Sequence, residues 1–272
     1  MQTLELDSTT LAFDDVGPDV ATPLLLVHGH PFDRTMWHPQ LARLGESHRV
    51  IAPDLHGYGA SPGAVAHWSA FADELAGLLD ALRIERAVVA GLSMGGQIAL
   101  DLQWRYPSRV AGLLLADTTA AAEPDPSVRR AAADRLLREG MDPYAVESLY
   151  GMVSPNSPAR VAEHVLAMMR GTDPVGAAAA QRARADRPDY RASLAAITVP
   201  ATVVVGTADR FTPISDAQVL AAGIPDAELV VIEGAAHMPN LEQPAVFDAA
   251  LERLLSRVAA VENDVVMIER AC

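Results

Sequence analysis

The run Val88-Val89-Ala90-Gly91-Leu92-Ser93-Met94-Gly95-Gly96-Gln97-Ile98-Ala99-Leu100 constrains this chain more than any other stretch. A short apolar segment passes through a glycine-framed serine straight into a helical pattern, the sequence form of a strand, a very tight turn and a helix. In a Gly-x-Ser-x-Gly turn, here Gly91 to Gly95, side chains at the flanking positions would hold strand and helix apart. Glycines let the two pack closely while the serine between them sits strained and exposed. A helix beginning at Ser93 also aims free backbone N–H groups and a positive dipole end at any anion formed beside it. Read alone, the five residues fit a nucleophile elbow, and fit equally a Gly-rich strand-to-helix turn with an incidental serine.

The rest of the chain sets the context. Two short alternating runs, Leu4 to Leu6 and Leu11 to Phe13, flank Asp7-Ser8-Thr9-Thr10 and predict an N-terminal antiparallel hairpin. Pro23 to Gly29 is apolar without alternation, as in a strand buried on both faces of a parallel sheet. Then follow a helix from about Thr35 to Leu44, a strand Arg49 to Pro53, a turn-rich loop Asp54 to Pro62, and an amphipathic helix from Ser69 to Leu82. A strand Ala87 to Ala90 enters the elbow, whose helix runs to Tyr106 and is followed by a strand Val110 to Ala116. The rhythm resumes with a strand Val199 to Gly206, a helix Ser215 to Ala222, a strand Ala227 to Ile232 and a closing helix Pro244 to Val258. Strands and helices alternating at these lengths predict crossovers and an α/β fold with a mostly parallel, doubly wound sheet.

Between Thr118 and Ala195 the alternation stops, and four helical runs take its place: Pro126 to Glu139, Pro143 to Tyr150, Ser157 to Arg170 and Pro174 to Arg187. An all-helical insertion in an α/β chain is expected to cap the carboxyl ends of the strands, where open sheets bind ligands, or else to add packing. The domains expected are a core in two parts, 1–117 and 196–262, a helical cap at 118–195 and a tail at 263–272. The tail holds a β-like run, Val265 to Ile268, with no evident role.

Composition narrows the function classes. Half of the 272 residues are hydrophobic and 21% are charged, enough for a sizeable core and too apolar for disorder. The formal charge of −14, spread along the chain, argues against a nucleic-acid partner and for a soluble protein. The N-terminus has neither a basic n-region nor an apolar h-region, and no stretch approaches the ~18–20 apolar residues that span a bilayer, so no secretory signal and no membrane partner are expected. The single cysteine, Cys272, leaves no internal disulfide and no cysteine metal site, compatible with a cytoplasmic location.

A serine hydroxyl is a poor nucleophile near neutral pH and needs a base, with a third group to hold that base in the right tautomer. Asp209 follows Val203-Val204-Val205-Gly206, and His237 follows Val230-Val231-Ile232. In a parallel sheet those loops and the elbow open on one edge, so the three side chains can converge, in the order Ser, Asp, His. Asp117 also ends an apolar strand and is the rival acid.

With His28-Gly29-His30-Pro31, Asp54-Leu55-His56-Gly57-Tyr58-Gly59-Ala60-Ser61, Gly91 to Gly96, Gly206-Thr207-Ala208-Asp209 and Gly234 to Pro244 in this order, the chain resembles the α/β-hydrolase superfamily over nearly its whole length. It is most similar to the branch of 3-oxoadipate enol-lactonases and small carboxylesterases. The resemblance implies an eight-stranded sheet, Ser93 as nucleophile, His237 as general base and then acid, and Asp209 as the orienting carboxylate. It implies an oxyanion hole of the His30 and Met94 backbone N–H groups. It also implies a small ester or lactone as substrate, with no cofactor and no metal. Phe32, Trp37, Met94, Phe211 and Met238 adjoin the catalytic loops, and Tyr144, Leu149, Tyr150, Met168 and Met169 could roof a pocket. Arg34, Arg129, Arg130 and Arg182 could meet a substrate carboxylate or simply face solvent. His30 could line the pocket or contribute backbone alone; His28 is expected to brace the loop, and His56 to be structural. His38, His48, His67 and His164 lack neighbours at metal-ligand spacing. Carbon–carbon bond hydrolysis and perhydrolase or haloperoxidase chemistry share the same triad, and a ligand receptor or non-hydrolytic biosynthetic enzyme could reuse the scaffold. A monomer and a homodimer are equally compatible with the sequence.

Overall fold

The computed structural model describes residues 1–6 and 9–271, with side chains described as far as 264. Its strands are β1 (Gln2–Leu6), β2 (Thr9–Val16), β3 (Leu24–Val27), β4 (Val50–Pro53), β5 (Ala87–Leu92), β6 (Val110–Ala116), β7 (Ala201–Gly206) and β8 (Glu228–Ile232). The helices between them are α1 (His38–Leu44), α2 (Ala70–Ala81), α3 (Met94–Arg105), α4 (Pro126–Glu139), α5 (Met141–Met152), α6 (Ala159–Gly171), α7 (Pro174–Ala185) and α8 (Ile214–Gly223), with α9 (Pro239–Glu242) and α10 (Pro244–Ala271) after β8. One eight-stranded sheet has the order β1-β2-β4-β3-β5-β6-β7-β8. β1 and β2 form the expected antiparallel hairpin, β2 lies antiparallel to β4, and β3 to β8 run parallel. Asp7 and Ser8 of the hairpin turn lie outside the described residues, as does Cys272.

Successive side chains on a strand point to opposite faces, and the central strands are buried at every position, so each feeds two cores. Leu25, Val27, Val89, Leu113 and Val203 pack on one face with Phe71, Leu75 and Leu78 of α2, Ile98 of α3 and Leu220 of α8. Leu24, Leu26, Val88, Leu114 and Val204 pack on the other with Leu41 and Leu44 of α1 and Phe247, Leu251 and Leu254 of α10. From β3 the chain steps one way to β4 and then back across to β5, so the direction of winding reverses between β3 and β5. In open α/β sheets such a reversal marks the place, at the carboxyl ends of the strands, where ligands bind.

Helices α4 to α7 fill the segment between β6 and β7, α4 against α7 and α5 against α6. They seat on the loops that leave β3 and β4. The Thr172 hydroxyl donates to the Pro31 carbonyl at 3.0 Å, and the His164 Nε2 lies 3.2 Å from the Thr35 carbonyl. Gly176 of α7 meets Gly57 backbone to backbone, where a Cβ would lie 2.1 Å from the Gly57 oxygen.

One expectation needs correction. The β-like run Val265 to Ile268 is helical, since α10 continues unbroken to Ala271; extending a helix already nucleated costs little, and this outweighs a weak β-branched preference. A short helix, α9, follows the loop that carries His237.

Candidate active site

The elbow is built by exclusion. A Cβ on Gly91 would lie 2.2 Å from the Gly95 oxygen, and one on Gly95 would lie 2.1 Å from the Val27 oxygen, so only hydrogen fits at either position. Ser93 between them has φ 57° and ψ −117°, a left-handed conformation that costs about 1–3 kcal/mol in a non-glycine residue. Backbone bonds hold it there: its N–H donates to the Ala116 carbonyl at 2.8 Å, and its carbonyl accepts from the Thr118 hydroxyl at 2.7 Å and the Gly96 N–H at 3.0 Å. The loop after β3 comes close, since a Cβ on Gly29 would lie 3.2 Å from the Ser93 Cβ. Among the described residues, the N–H groups of His30 and of Met94, the first residue of α3, find no acceptor.

Asp209 and His237 leave the adjacent strands β7 and β8. The Asp209 carboxylate, its side chain wholly buried, accepts from His237 Nδ1 at 2.8 Å with one oxygen and from the Phe211 N–H at 2.8 Å with the other. The Phe211 ring stands edge-on to the imidazole, with centroids 5.3 Å apart. Among the described residues no hydrogen bond joins the Ser93 hydroxyl to His237; in hydrolytic sites that contact commonly tightens only with substrate bound. Asp117, at φ 44°, accepts instead from the Gly206 N–H at 2.9 Å, so of the two strand-end acids it is Asp209 that holds the histidine. Burial first, and then the nearby charge of Asp209, push the Asp117 carboxyl well above its ordinary range.

Glu242 of α9 pins the histidine loop, a role that sequence reasoning missed. One of its oxygens accepts from the N–H groups of Ala236 (2.9 Å) and Met238 (3.2 Å), and the other from the Ser154 N–H (2.8 Å) and the Ser157 hydroxyl (2.6 Å) beyond α5. An acidic residue five positions after a loop histidine was the available signal.

The loop after β3 is braced on both sides. His28 Nδ1 lies 2.8 Å from the Gly29 carbonyl, and its Nε2 accepts from the Leu55 N–H at 2.9 Å. His30 is 3% exposed, with Nδ1 2.7 Å from the Tyr58 hydroxyl and Nε2 2.9 Å from the Gln181 side-chain amide. Burial, followed by the charges of Arg184 and Arg129, pushes the His30 pKa well down, so the ring is a neutral strut between the core and α7. Asp54, the first residue of the turn-rich loop after β4, is fully buried and accepts from the Arg34 N–H (2.8 Å), the Arg34 guanidinium (2.5 Å) and the Ala60 N–H (2.7 Å). His56 meets Glu74 at 2.8 Å.

The expected pocket residues divide. Phe32, Trp37 and Met238 are fully buried and packed in the core with Met168 and Met169. Tyr144 is half-buried, its ring 6.0 Å from His30, and Phe211 is half-exposed over His237. Tyr150 is 70% exposed and faces solvent. Each of the four expected arginines already meets a carboxylate: Arg34 meets Asp54 and Asp14, Arg129 meets Glu123, Arg130 meets Asp186, and Arg182 meets Asp134. Arg184, buried on the inner side of α7, meets no carboxylate of a described residue.

Residues 24–250 match the model of the alpha/beta hydrolase family. The solved structure of a thermophilic esterase from Thermogutta terrifontis superposes with a TM-score of 0.90 at 37% identity, over 95% of this chain and 99% of that one. An enol-lactonase from Burkholderia xenovorans superposes with a TM-score of 0.88 at 28% identity, over 94% of this chain and 100% of the other. In sequence the chain is 30% identical to 3-oxoadipate enol-lactonase 2 of Acinetobacter baylyi over 261 residues, 91% of this chain and 96% of that enzyme.

Proposed function

The chain belongs to the alpha/beta hydrolase family and is a hydrolase, and from that premise we propose that it cleaves a small carboxylic ester or lactone through a serine-bound acyl intermediate. The observation that carries this reading is the strained Ser93 on the same sheet edge as the buried Asp209–His237 pair. Ser93 Oγ attacks the substrate carbonyl while His237 Nε2 takes its proton, and Asp209 on Nδ1 fixes the tautomer and stabilises the imidazolium. The alkoxide oxygen of the tetrahedral adduct sits against the unengaged N–H groups of His30 and Met94, each worth about 3–4 kcal/mol of barrier in enzymes of this chemistry. His237 then returns its proton to the leaving alcohol as the ester bond breaks. Next it takes a proton from a water whose oxygen attacks the acyl carbon, and gives that proton back to Ser93 Oγ as the acyl–Oγ bond breaks and the acid leaves. In a lactone both products remain one molecule. Helices α4 to α7, seated on the loops that leave β3 and β4, act as a cap that limits substrate size.

A fluorophosphonate probe should label Ser93, and Ser93→Ala should lower kcat on p-nitrophenyl esters by at least about 10³-fold with the fold intact. Full activity in that variant, or no labelling of the folded protein, would overturn the mechanism.

A further inference from the structure

Arg184 lies in the last turn of α7 and is 6% exposed. Its guanidinium makes no hydrogen bond and no ion pair with any described residue, and its Nε is buried without an acceptor. This is not the habit of the arginines around it. Arg130, Arg135, Arg170 and Arg182 on the same four helices each meet a carboxylate at 2.6–2.8 Å. Arg129 meets Glu123 at 2.6 Å, and Arg187 donates to the Gln97 side-chain oxygen at 3.0 Å and to the Ala121 carbonyl. The groups that act electrostatically on Arg184 are two like charges, Arg129 and Arg187, and two phenols, Tyr58 and Tyr144.

An isolated buried cation costs several kcal/mol, and most side chains escape by giving up the charge. Arginine does not have that exit. Burial, and then the neighbouring cations, push its pKa down to about 9, which still leaves it charged at neutral pH. A fold that keeps such a group unpaired has left its partner to come from outside. Gln181, one turn before Arg184 on α7, meets the His30 ring at 2.9 Å, and the His30 backbone N–H is one of the two donors in the proposed mechanism. An anion carried by the substrate is the partner that this placement favours.

We propose that Arg184 is the anchor for a carboxylate carried by the substrate, so that the ester or lactone cleaved here is an anionic one. The inference rests on the hydrolase reading above and adds the charge of the substrate to it. A guanidinium with both terminal nitrogens unengaged presents the planar fork that a carboxylate fills with two parallel hydrogen bonds. Tyr58 and Tyr144 flank it, and Gln181, one turn earlier on α7, ties the same helix to His30 at 2.9 Å, so anchor and reacting centre share a rigid frame.

The test compares p-nitrophenyl monoesters of succinic, glutaric and adipic acids with neutral esters of matched length, such as p-nitrophenyl levulinate against the succinate. Wild type should prefer at least one carboxylate ester. Arg184→Met should lower the ratio of kcat/KM for that ester over its neutral match by roughly 100-fold, the loss typical when one partner of a buried charge pair is removed. Arg184→Lys should recover part of the ratio, and Arg182→Met, on the outer side of the same helix, should leave it alone. A wild-type ratio near one, or an equal loss on both esters in Arg184→Met, would overturn the proposal. Binding separates this from failure of the hydrolase reading. Monomethyl glutarate should raise the melting temperature of Ser93→Ala but not of the Ser93→Ala/Arg184→Met double variant, whether or not any ester is turned over. Equal shifts in both, or none in either for all three diacid monoesters, would again refute the anchor. Circular dichroism confirms folding, and Arg184→Lys provides the second variant if the methionine does not fold.

Discussion

At the scale of single residues, the site is organised by which acids and bases are already engaged. Asp209 gives one oxygen to His237 and the other to a backbone N–H, while Asp117 sits in the same buried cluster with one oxygen unpartnered. A carboxyl raised above its ordinary value of 3.8 favours the folded state while protonated. As pH rises past that value the unfolded chain releases its proton first, the native state holds more protons, and stability falls until the folded group has also titrated. Asp117→Asn removes this slope while keeping the acceptor for the Gly206 N–H. Its melting temperature should therefore gain on wild type progressively from about pH 4 upward; a difference that is constant or shrinks with pH would refute a protonated Asp117. The pairing of Asp209 with His237 was legible because a parallel sheet delivers successive loops to one edge. Arg184 was not legible. In the sequence it is one of three arginines in the helical run Pro174 to Arg187, and only the seating of α7 tells the inner one from Arg182.

At the scale of elements, the strands and helices of the core were readable because period and length agree: β6 and α4 fall where the apolar run and the Pro126 to Glu139 pattern place them. The elbow strand was read two residues short, since Gly91 and Leu92 look like turn residues until the pairing of Leu92 with Ala116 extends β5 to the serine. Glu242 shows what period cannot supply. Its four acceptor contacts join the histidine loop to the end of α5, across 88 residues of chain. In Glu242→Gln the amide NH₂ faces N–H or O–H donors on one side, which should cost about 1–3 kcal/mol. We expect a melting temperature lower by several degrees, at roughly 2–4 °C per kcal/mol for a chain of this size, with kcat on p-nitrophenyl acetate falling as His237 loses its register. Unchanged stability would mean that the carboxylate is not holding the two loops.

At the scale of the whole molecule, a formal charge of −14 surrounds an interior cation. An anionic substrate must approach against that field, and exposed charges are screened over about 8–10 Å at ordinary salt while a buried one is screened far less. For the carboxylate ester kcat/KM should rise as sodium chloride goes from about 10 to 150 mM, and for its neutral match stay flat; a fall for the anionic ester would place the anchoring charge at the surface. Among the described residues no helix is long and apolar enough to cross a membrane. The contact of Gly57 with Gly176 works on this same scale. Gly57, at φ 87°, offers a bare carbonyl, and Gly176 offers a helix without a side chain. From that seat to Arg184 the helix rises about 12 Å at 1.5 Å per residue. α7 is thus a caliper with one jaw fixed on the loop after β4 and the other on the proposed anchor, and a single methyl group at Gly176 would force the two jaws out of register.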